Sequence, residues 1–188
     1  FNRGDNFGCA YFQMNQRRGM RWSATKSYLR PVLKRPNLTV ITHAHAQEIR
    51  FDDIGGKPRA AGVVARIRFR GNALAQASRE VIVATGAIGS PQLLQLSGIG
   101  PRDLMDRFGI TTIHDLPGVG ENLHDHLQLR MVYKVHNVTT LNERANSLFG
   151  KAAMPLEYLL FRTGPMTMPP SQTGAFVKSD PSQRTANL

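Results

Sequence analysis

The chain has 188 residues, 41% of them hydrophobic, and its 24 Lys and Arg outnumber its 13 Asp and Glu to give a formal net charge of +11. This length and apolar content allow one packed domain or two small ones and exclude general disorder, and no apolar run approaches the roughly 18–20 residues that span a bilayer. The single cysteine, Cys9, excludes an internal disulfide framework and a zinc site built from several cysteines.

The first half of the chain is predicted to contain a loop, a helix and then several strands. A Gly-, Asn- and Arg-rich loop over 1–21 precedes Ser23, which is a suitable N-cap for a helix that runs towards Lys34 and is kinked at Pro31. Gly55 and Gly56 predict a hairpin turn. Strands are predicted over 38–42, 47–51, 62–70 and 80–85.

The second half is predicted to begin with two short helices. Ser90 as N-cap and Pro91 at the first helical position start one that closes at Gly98, and the other runs over 102–108. The elements predicted after them are a turn over 117–120, a strand over 127–135, one or two helices over 141–161 interrupted near Pro155, a loop over 163–173 and a strand over 174–178.

The positive charge has several interpretations. A basic module that binds nucleic acid or an anionic surface is one of them, although no block of five or six consecutive charges occurs. Another is that the chain is a piece of a larger protein whose acidic parts lie elsewhere. Arg66, Arg68 and Arg70 alternate with apolar residues, so on a strand they would share one face. That face is either solvated or a ladder that binds phosphate groups.

Histidines occur in two close pairs. His43 and His45 would share a strand face, and His124 and His126 flank Asp125. This spacing is compatible with metal ligation, but no third or fourth ligand is evident in the sequence. We therefore predict no metal site.

The most specific pattern is an apolar strand that ends on a glycine. Residues 81–84 are apolar without alternation, which is typical of a strand covered on both faces in a parallel sheet. A glycine at the carboxyl end of such a strand, here Gly86, lets the backbone approach a bound cofactor closely. From Gly86 to Gly100 the chain reads Gly-x-x-Gly-Ser-Pro-x-Leu-Leu-x-Leu-Ser-Gly-Ile-Gly.

This stretch resembles the second signature of the glucose–methanol–choline (GMC) family of flavin oxidoreductases. Further segments follow in the family's order: Gly19-x-Arg21-x-Ser23, Arg35-Pro36-Asn37-Leu38, Leu116-Pro117-Gly118-Val119-Gly120, Asn122-Leu123-x-Asp125-His126 and Gly174-Ala175-Phe176. The resemblance covers nearly the whole chain and is closest to the bacterial choline and alcohol dehydrogenases.

The resemblance implies an α/β fold that becomes α+β in its second part. Residues 1–115 would be part of a Rossmann-like FAD-binding domain, and residues 116–188 would begin a substrate domain built on an antiparallel sheet. The implied reaction is oxidation of an alcohol to an aldehyde by hydride transfer to FAD, with a quinone or another carrier as electron acceptor. A cytoplasmic location is expected, with membrane association of the complete protein left open, and a non-redox lyase that keeps FAD is the alternative within the family.

The resemblance also assigns site residues. Ala46 matches a strand whose backbone meets the adenine, and Ala84, Thr85 and Gly86 match the turn beside the adenosine part of FAD. Gln172 stands where some relatives carry a Glu that faces the substrate pocket. Because a neutral Gln does not attract a quaternary ammonium group as a carboxylate does, an uncharged alcohol is favoured over choline.

Two parts of the family pattern are expected outside this chain. The Gly-x-Gly-x-x-Gly turn that holds the FAD pyrophosphate precedes the region that begins at Phe1, and the catalytic His and its partner follow the region that ends at Leu188. No catalytic residue is therefore predicted within the chain. We expect an internal fragment that neither binds FAD tightly nor oxidises alcohols by itself.

Overall fold

The chain divides into two units, and each unit contains its own strands. In the computed structural model, residues 7–126, 128, 132–169 and 171–187 are described. The terminal unit comprises Phe1–Thr39 with Val132–Leu188, and the central unit comprises Val40–Met131. The predicted cofactor domain over 1–115 and substrate domain over 116–188 do not coincide with these two units. The assignment of the two domains stays a prediction.

Helices and strands both occur, which confirms the mixed class predicted from the sequence. The strands are β1 (Gly8–Tyr11), β2 (Gln16–Arg17), β3 (Met20–Arg21), β4 (Ala44–Ile54), β5 (Lys57–Ile67), β6 (Gly71–Gln76), β7 (Ile99–Gly100), β8 (His114–Asp115) and β9 (Thr173–Phe176). The α-helices are α1 (Gly86–Leu96), α2 (Arg102–Arg107), α3 (Leu141–Asn146) and α4 (Leu148–Phe161), and short π or 3₁₀ turns cover Thr25–Leu29, Arg30–Val32 and Pro165–Thr167.

The central unit contains an antiparallel sheet in the order β4-β5-β6. Gly55 and Gly56 connect β4 to β5 with φ values of 63° and 77°, the left-handed conformation that a tight hairpin loop requires. Asp53 Oδ1 accepts a hydrogen bond of 2.7 Å from Gly56 N and closes this turn. The predicted hairpin turn and the predicted strand over 47–51 are both confirmed.

The strand predicted over 62–70 ends early. β5 stops at Ile67, and positive φ values at Phe69 (65°) and Gly71 (79°) turn the chain into β6. Phe69 is 92% exposed and lies beyond β5, so the strand face predicted for Arg66, Arg68 and Arg70 does not continue to Arg70. The sequence does not predict β6, because this strand contains no β-branched residue and all its residues are exposed.

Two other predicted strands are absent. Residues 38–42 and 80–85 form no strand with any part of the chain that the structure describes. Ile82 is 79% exposed, so the prediction that the second run is buried on both faces is wrong here. Both runs have the apolar composition of strands, but a strand also needs a neighbour to take its backbone hydrogen bonds.

The helix predicted from Ser90 begins four residues earlier. α1 starts at Gly86, so Ser90 and Pro91 lie inside it. Thr85 precedes the helix without a side-chain cap, and Thr85 Oγ1 lies 3.1 Å from Ser90 Oγ. The predicted N-cap is therefore wrong, and the serine hydroxyl instead reaches back across the first turn.

A buried serine joins α1 to β4. Ser97 Oγ donates a hydrogen bond of 2.6 Å to Leu93 O and accepts one of 2.8 Å from Ile49 N. Ser97 is only 4% exposed, and the side chains of Ile49 and Leu93 are also buried. The apolar contact between helix and sheet therefore surrounds a polar group whose hydrogen bonds are satisfied.

The short helix predicted after this point is confirmed as α2, which links β7 to β8 in a parallel pair. Asp115 Oδ1 accepts a hydrogen bond of 3.1 Å from Arg102 N at the start of α2. Met105 faces inwards from this helix and is fully buried. The predicted turn over 117–120 follows β8.

The terminal unit begins with strands instead of the predicted loop. β1 pairs with β9 in antiparallel register, and Phe12 N donates a hydrogen bond of 2.8 Å to Gln172 O beyond the end of this pair. A Cβ at Gly174 would overlap the Phe12 ring in its present position, so the ring packs directly over this glycine. The predicted strand near Gly174 is confirmed as β9. The loop predicted over 1–21 is wrong where β1, β2 and β3 form, and its residues 1–6 lie outside the described part of the chain.

The helix predicted from Ser23 towards Lys34 is reduced to two short turns. Thr25–Leu29 is a π-helical turn and Arg30–Val32 is a 3₁₀ turn that contains Pro31. Ser23 is not its cap, because Ala24 stands at that position with no side-chain hydrogen bond. The proline lacks the N–H that a continuous α-helix would need at that point.

α3 and α4 are separated at Ser147 and not at the expected Pro155. Thr140 and Glu143 form a reciprocal capping box at the start of α3, and Ser147 Oγ accepts a hydrogen bond of 2.9 Å from Gly150 N at the start of α4. Pro155 lies inside α4. Within the described ranges, no helix is both long and apolar enough to cross a bilayer.

The strand predicted over 127–135 falls largely on residues outside the described part of the chain. Residues 127 and 129–131 are not described, and the described residues at 128 and 132–135 form no strand.

We expect Ser97→Ala to lower the free energy of unfolding by about 1–3 kcal/mol, because the buried Ile49 N–H would lose its acceptor. Urea denaturation followed by circular dichroism measures the change. Ser78→Ala is the control, since Ser78 is exposed in the same unit. A loss no larger than that of the control would contradict the role of this hydroxyl.

Candidate functional site

Ala46 lies beside an irregularity in the central sheet. It pairs with Ala65, and the register then shifts before Glu48 pairs with Val64, so Gln47 is the extra residue of a bulge. A bulge leaves peptide groups that the ladder does not use. The main chain next to the half-buried Ala46 therefore has groups available to a ligand, as the expected main-chain contact requires.

A row of alanines crosses the sheet at this position. Ala46 pairs with Ala65, and Ala65 pairs with Ala73 on the next strand. Because directly paired residues of neighbouring strands project to the same face of a sheet, these three methyl groups lie on one face. No side chain in this row is larger than a methyl group.

Ala84, Thr85 and Gly86 are exposed at the beginning of α1. Gly86 has a φ of 89°, and a Cβ built on it would meet nothing within 4 Å. The backbone conformation thus favours glycine, while the space beside it is open. Another molecule could therefore lie against the main chain at Gly86.

The structure brings the elements that carry Ala46 and Gly86 into one unit. The hydrogen bond between Ile49 and Ser97 joins β4 to the residue just after α1. Gly86 lies at the other end of this helix, about 16 Å away along its axis at 1.5 Å per residue. The packing thus fixes the direction in which the start of α1 points from β4.

Gln172 belongs to the terminal unit and is exposed. Its backbone carbonyl accepts the hydrogen bond from Phe12 N, and Thr173 beside it begins β9. The β1–β9 pair therefore fixes the main chain that carries this side chain.

The histidine pairs do not form a compact cluster. His43 precedes β4 and has a φ of 53°, so it does not share a strand face with His45 as expected. His124 and His126 are exposed, and Asp125 Oδ1 accepts a hydrogen bond of 2.8 Å from His126 N. Within the described ranges, no group of three or more His, Cys, Asp or Glu side chains could hold a metal ion.

Gln95 is a residue whose role the sequence pattern did not reveal. Its Nε2 donates a hydrogen bond of 3.0 Å to Val119 O. A Cβ at Gly100 would lie 3.0 Å from Gln95 Cγ, and one at Gly120 would lie 2.7 Å from Gln95 Nε2. The Gln95 side chain thus fits between Gly100 and Gly120, two glycines of the family motifs. The spacing of these glycines around a polar helix residue is the sequence feature that could have predicted this contact.

The central sheet also carries two open grooves. A groove of about 980 Å³ lies towards the β4–β5 turn and β6, and a pocket of about 390 Å³ lies at the opposite end of β4 and β5. None of the five predicted site residues lines either of them. At Gly86, the one of these positions where the space beside the backbone is defined, that space is open.

Comparison with known proteins identifies the family. The family model described as GMC oxidoreductase matches residues 1–128. The chain therefore belongs to the GMC oxidoreductase family, as its motifs indicate.

Individual relatives agree with this assignment. An alcohol dehydrogenase [acceptor] of Pseudomonas putida is 36% identical over 190 residues, which cover 100% of this chain and 34% of the relative. An oxygen-dependent choline dehydrogenase of Pseudomonas entomophila (strain L48) is 40% identical over 173 residues, which cover 92% of this chain and 30% of the relative. The chain thus spans about a third of the length of the curated relatives that it matches.

Solved structures give the same result. An FAD-dependent oxidoreductase from Chaetomium thermophilum matches 93% of this chain and 31% of its own, with a TM-score of 0.78 and 26% identity. A fungal aryl-alcohol oxidase matches 93% of this chain and 30% of its own, with a TM-score of 0.75 and 28% identity.

We expect Gln95→Ala to loosen the loop over 116–120, because Val119 O would lose its hydrogen bond to the helix. The free energy of unfolding should fall by about 0.5–1.5 kcal/mol, the usual net value of one hydrogen bond. Hydrogen exchange measured by mass spectrometry should become faster in peptides that contain the loop. Gln92→Ala, which changes an exposed residue of the same helix, is the control, and equal exchange in both variants would refute the interaction.

Proposed function

We propose that the chain is part of a longer FAD-dependent enzyme that oxidises an alcohol to an aldehyde. The family match over residues 1–128 is the observation that carries this proposal. It is supported by relatives named alcohol dehydrogenase and choline dehydrogenase and by a structural neighbour titled FAD-dependent oxidoreductase. In this proposal residues 1–115 contribute to a Rossmann-like FAD-binding domain, and residues 116–188 begin the substrate domain.

The residues present fit a nucleotide cofactor at two positions. The bulge beside Ala46 leaves main-chain groups available, and the space beside Gly86 is open. We assign Ala46 to the adenine and Ala84, Thr85 and Gly86 to the adenosine part of the cofactor. FAD, when bound, supplies the acceptor for the hydride that leaves the alcohol carbon.

Gly86→Ala tests this assignment in the complete polypeptide. The φ of 89° disfavours alanine, and the added methyl group would point into the space assigned to the cofactor. We expect the FAD content after purification to fall about tenfold, which corresponds to about 1.4 kcal/mol. The ratio of flavin to protein absorbance measures it.

Gly56→Ala is a matched control for that substitution. Gly56 has a φ of 77° and also has nothing within 4 Å of its Cβ position, so the backbone strain is similar. Gly56 lies in the turn between β4 and β5, away from the proposed contact. Equal loss of FAD in the two variants would attribute the effect to strain and would reject the contact.

The substrate is proposed to be an uncharged alcohol. Gln172 is exposed and carries no charge at the position where a carboxylate would attract a quaternary ammonium group. A carboxylate about 4 Å from such a cation is worth about 1 kcal/mol in water and more where water is excluded. Gln172 therefore gives no electrostatic preference for choline.

In the complete polypeptide we expect Gln172→Glu to raise kcat/KM for choline by about fivefold or more, the equivalent of about 1 kcal/mol. The value for a neutral primary alcohol should not rise. Gln183→Glu adds the same charge at another exposed position of the terminal unit and serves as the control. An equal gain in the control, or no gain for Gln172→Glu, would reject the assignment.

The complete reaction is tested in the same polypeptide. We place the base that accepts the hydroxyl proton of the alcohol outside this chain. Oxidation of each alcohol releases two electrons and two protons, and a quinone takes them up. Anaerobic, alcohol-dependent quinone reduction by a cytoplasmic or membrane fraction would support this function. Stoichiometric FAD that no alcohol reduces would favour the non-redox lyase. Tight FAD binding or turnover by the 188-residue chain alone would refute the proposal that it is inactive by itself.

A further inference from the structure

The smaller pocket of the central unit is strongly basic. It has a volume of about 390 Å³ and is lined by His43, His45, Arg66, Arg68 and Phe69, together with the backbone at the turn into β6. Among the described residues, none of its lining side chains is acidic. Its volume lies at the lower end of the range for small-molecule sites.

Two strand ends build the pocket. His45 of β4 pairs directly with Arg66 of β5, and Arg68 N donates a hydrogen bond of 3.0 Å to His43 O. Because side chains alternate along a strand, His45 and Arg66 lie on the face opposite the row of alanines that contains Ala46. These two side chains of the pocket therefore project away from the Ala46 methyl group, and Ala46 itself does not line the pocket.

The positive charges in this pocket are not neutralised by neighbours. Arg66 and Arg68 form no ion pair with any residue in the described ranges. Glu48, the nearest carboxylate along β4, pairs with Arg50 at 3.3 Å. Asp52 and Asp53 lie near the other end of β4, about 25 Å from His45 at the usual rise of a strand.

The backbone at the pocket is strained at two residues. His43 has a φ of 53° and Phe69 a φ of 65°, values that are unfavourable for a bulky side chain. Strain of this kind concentrates at sites that hold ligands. The Arg68 guanidinium lies 4.7 Å from the centroid of the Phe69 ring, and this stacking holds it at the rim of the pocket.

We infer that this pocket binds a small phosphate-bearing anion. Guanidinium groups present paired N–H donors that match the oxygens of a phosphate, and the imidazoles of His43 and His45 add further hydrogen-bonding groups. Arg70 belongs to the same alternating run but does not line the pocket, because β5 ends before it. The phosphate ligand is thus held by two arginines and not by a ladder of three.

Isothermal titration of the complete polypeptide with inorganic pyrophosphate tests this inference. We expect saturable binding to the wild-type polypeptide and about tenfold weaker binding after Arg66→Gln or Arg68→Gln, because each removes a charge-assisted hydrogen-bond donor. Arg70→Gln is the control, because it removes the same charge from a residue that does not line the pocket. It should leave the affinity for pyrophosphate within about twofold. Circular dichroism verifies that the variants fold.

Two further measurements make the result decisive. Pyrophosphate should shift the imidazole NMR signals of His43 and His45 in the wild-type complete polypeptide. Adenosine diphosphate that binds more tightly than pyrophosphate would identify a nucleotide as the source of the phosphate, and equal affinity would identify a free phosphate compound. Absence of saturable binding, or equal weakening by Arg70→Gln, would overturn the inference.

Discussion

The hydroxyl of Ser97 is the interaction on which the arrangement of the central unit depends. β4 is an edge strand of its sheet, and an edge strand has backbone groups that the sheet does not pair. One of them, Ile49 N–H, is buried and is satisfied by Ser97, which in turn donates to the carbonyl of Leu93. These two hydrogen bonds fix the position of α1 on β4. They therefore also fix the direction in which Gly86, at the start of α1, lies from β4.

The features that the sequence predicts well are those encoded by neighbouring residues. The Gly55–Gly56 turn, the strand predicted over 47–51 and the short helix after Pro101 all depend on local backbone preferences. The order of the motifs also identified the family, because long patterns with fixed spacing are specific even where each short piece is weak. Ala46 and Gly86 were assigned on that basis, and their local backbone is compatible with the assignment.

The features that the sequence does not predict depend on distant partners. β1 has the composition of a loop and becomes a strand because β9 pairs with it. Conversely, Val81 and Ile82 have strand composition but find no strand partner in the described part of the chain. The start of α4 was missed for a different reason, because Ser147 forms a side-chain cap while Pro155 is accommodated inside the helix.

The pairing of β1 with β9 also constrains the order in which the chain can fold during synthesis. All of the central unit, Val40–Met131, is translated before β9 emerges from the ribosome. The central sheet joins strands that are close in sequence and can close early, whereas β1 must wait until the segment Thr173–Phe176 has been made. Throughout that interval β1 has an unsatisfied backbone edge, which is the kind of surface that chaperones and aggregating chains recognise.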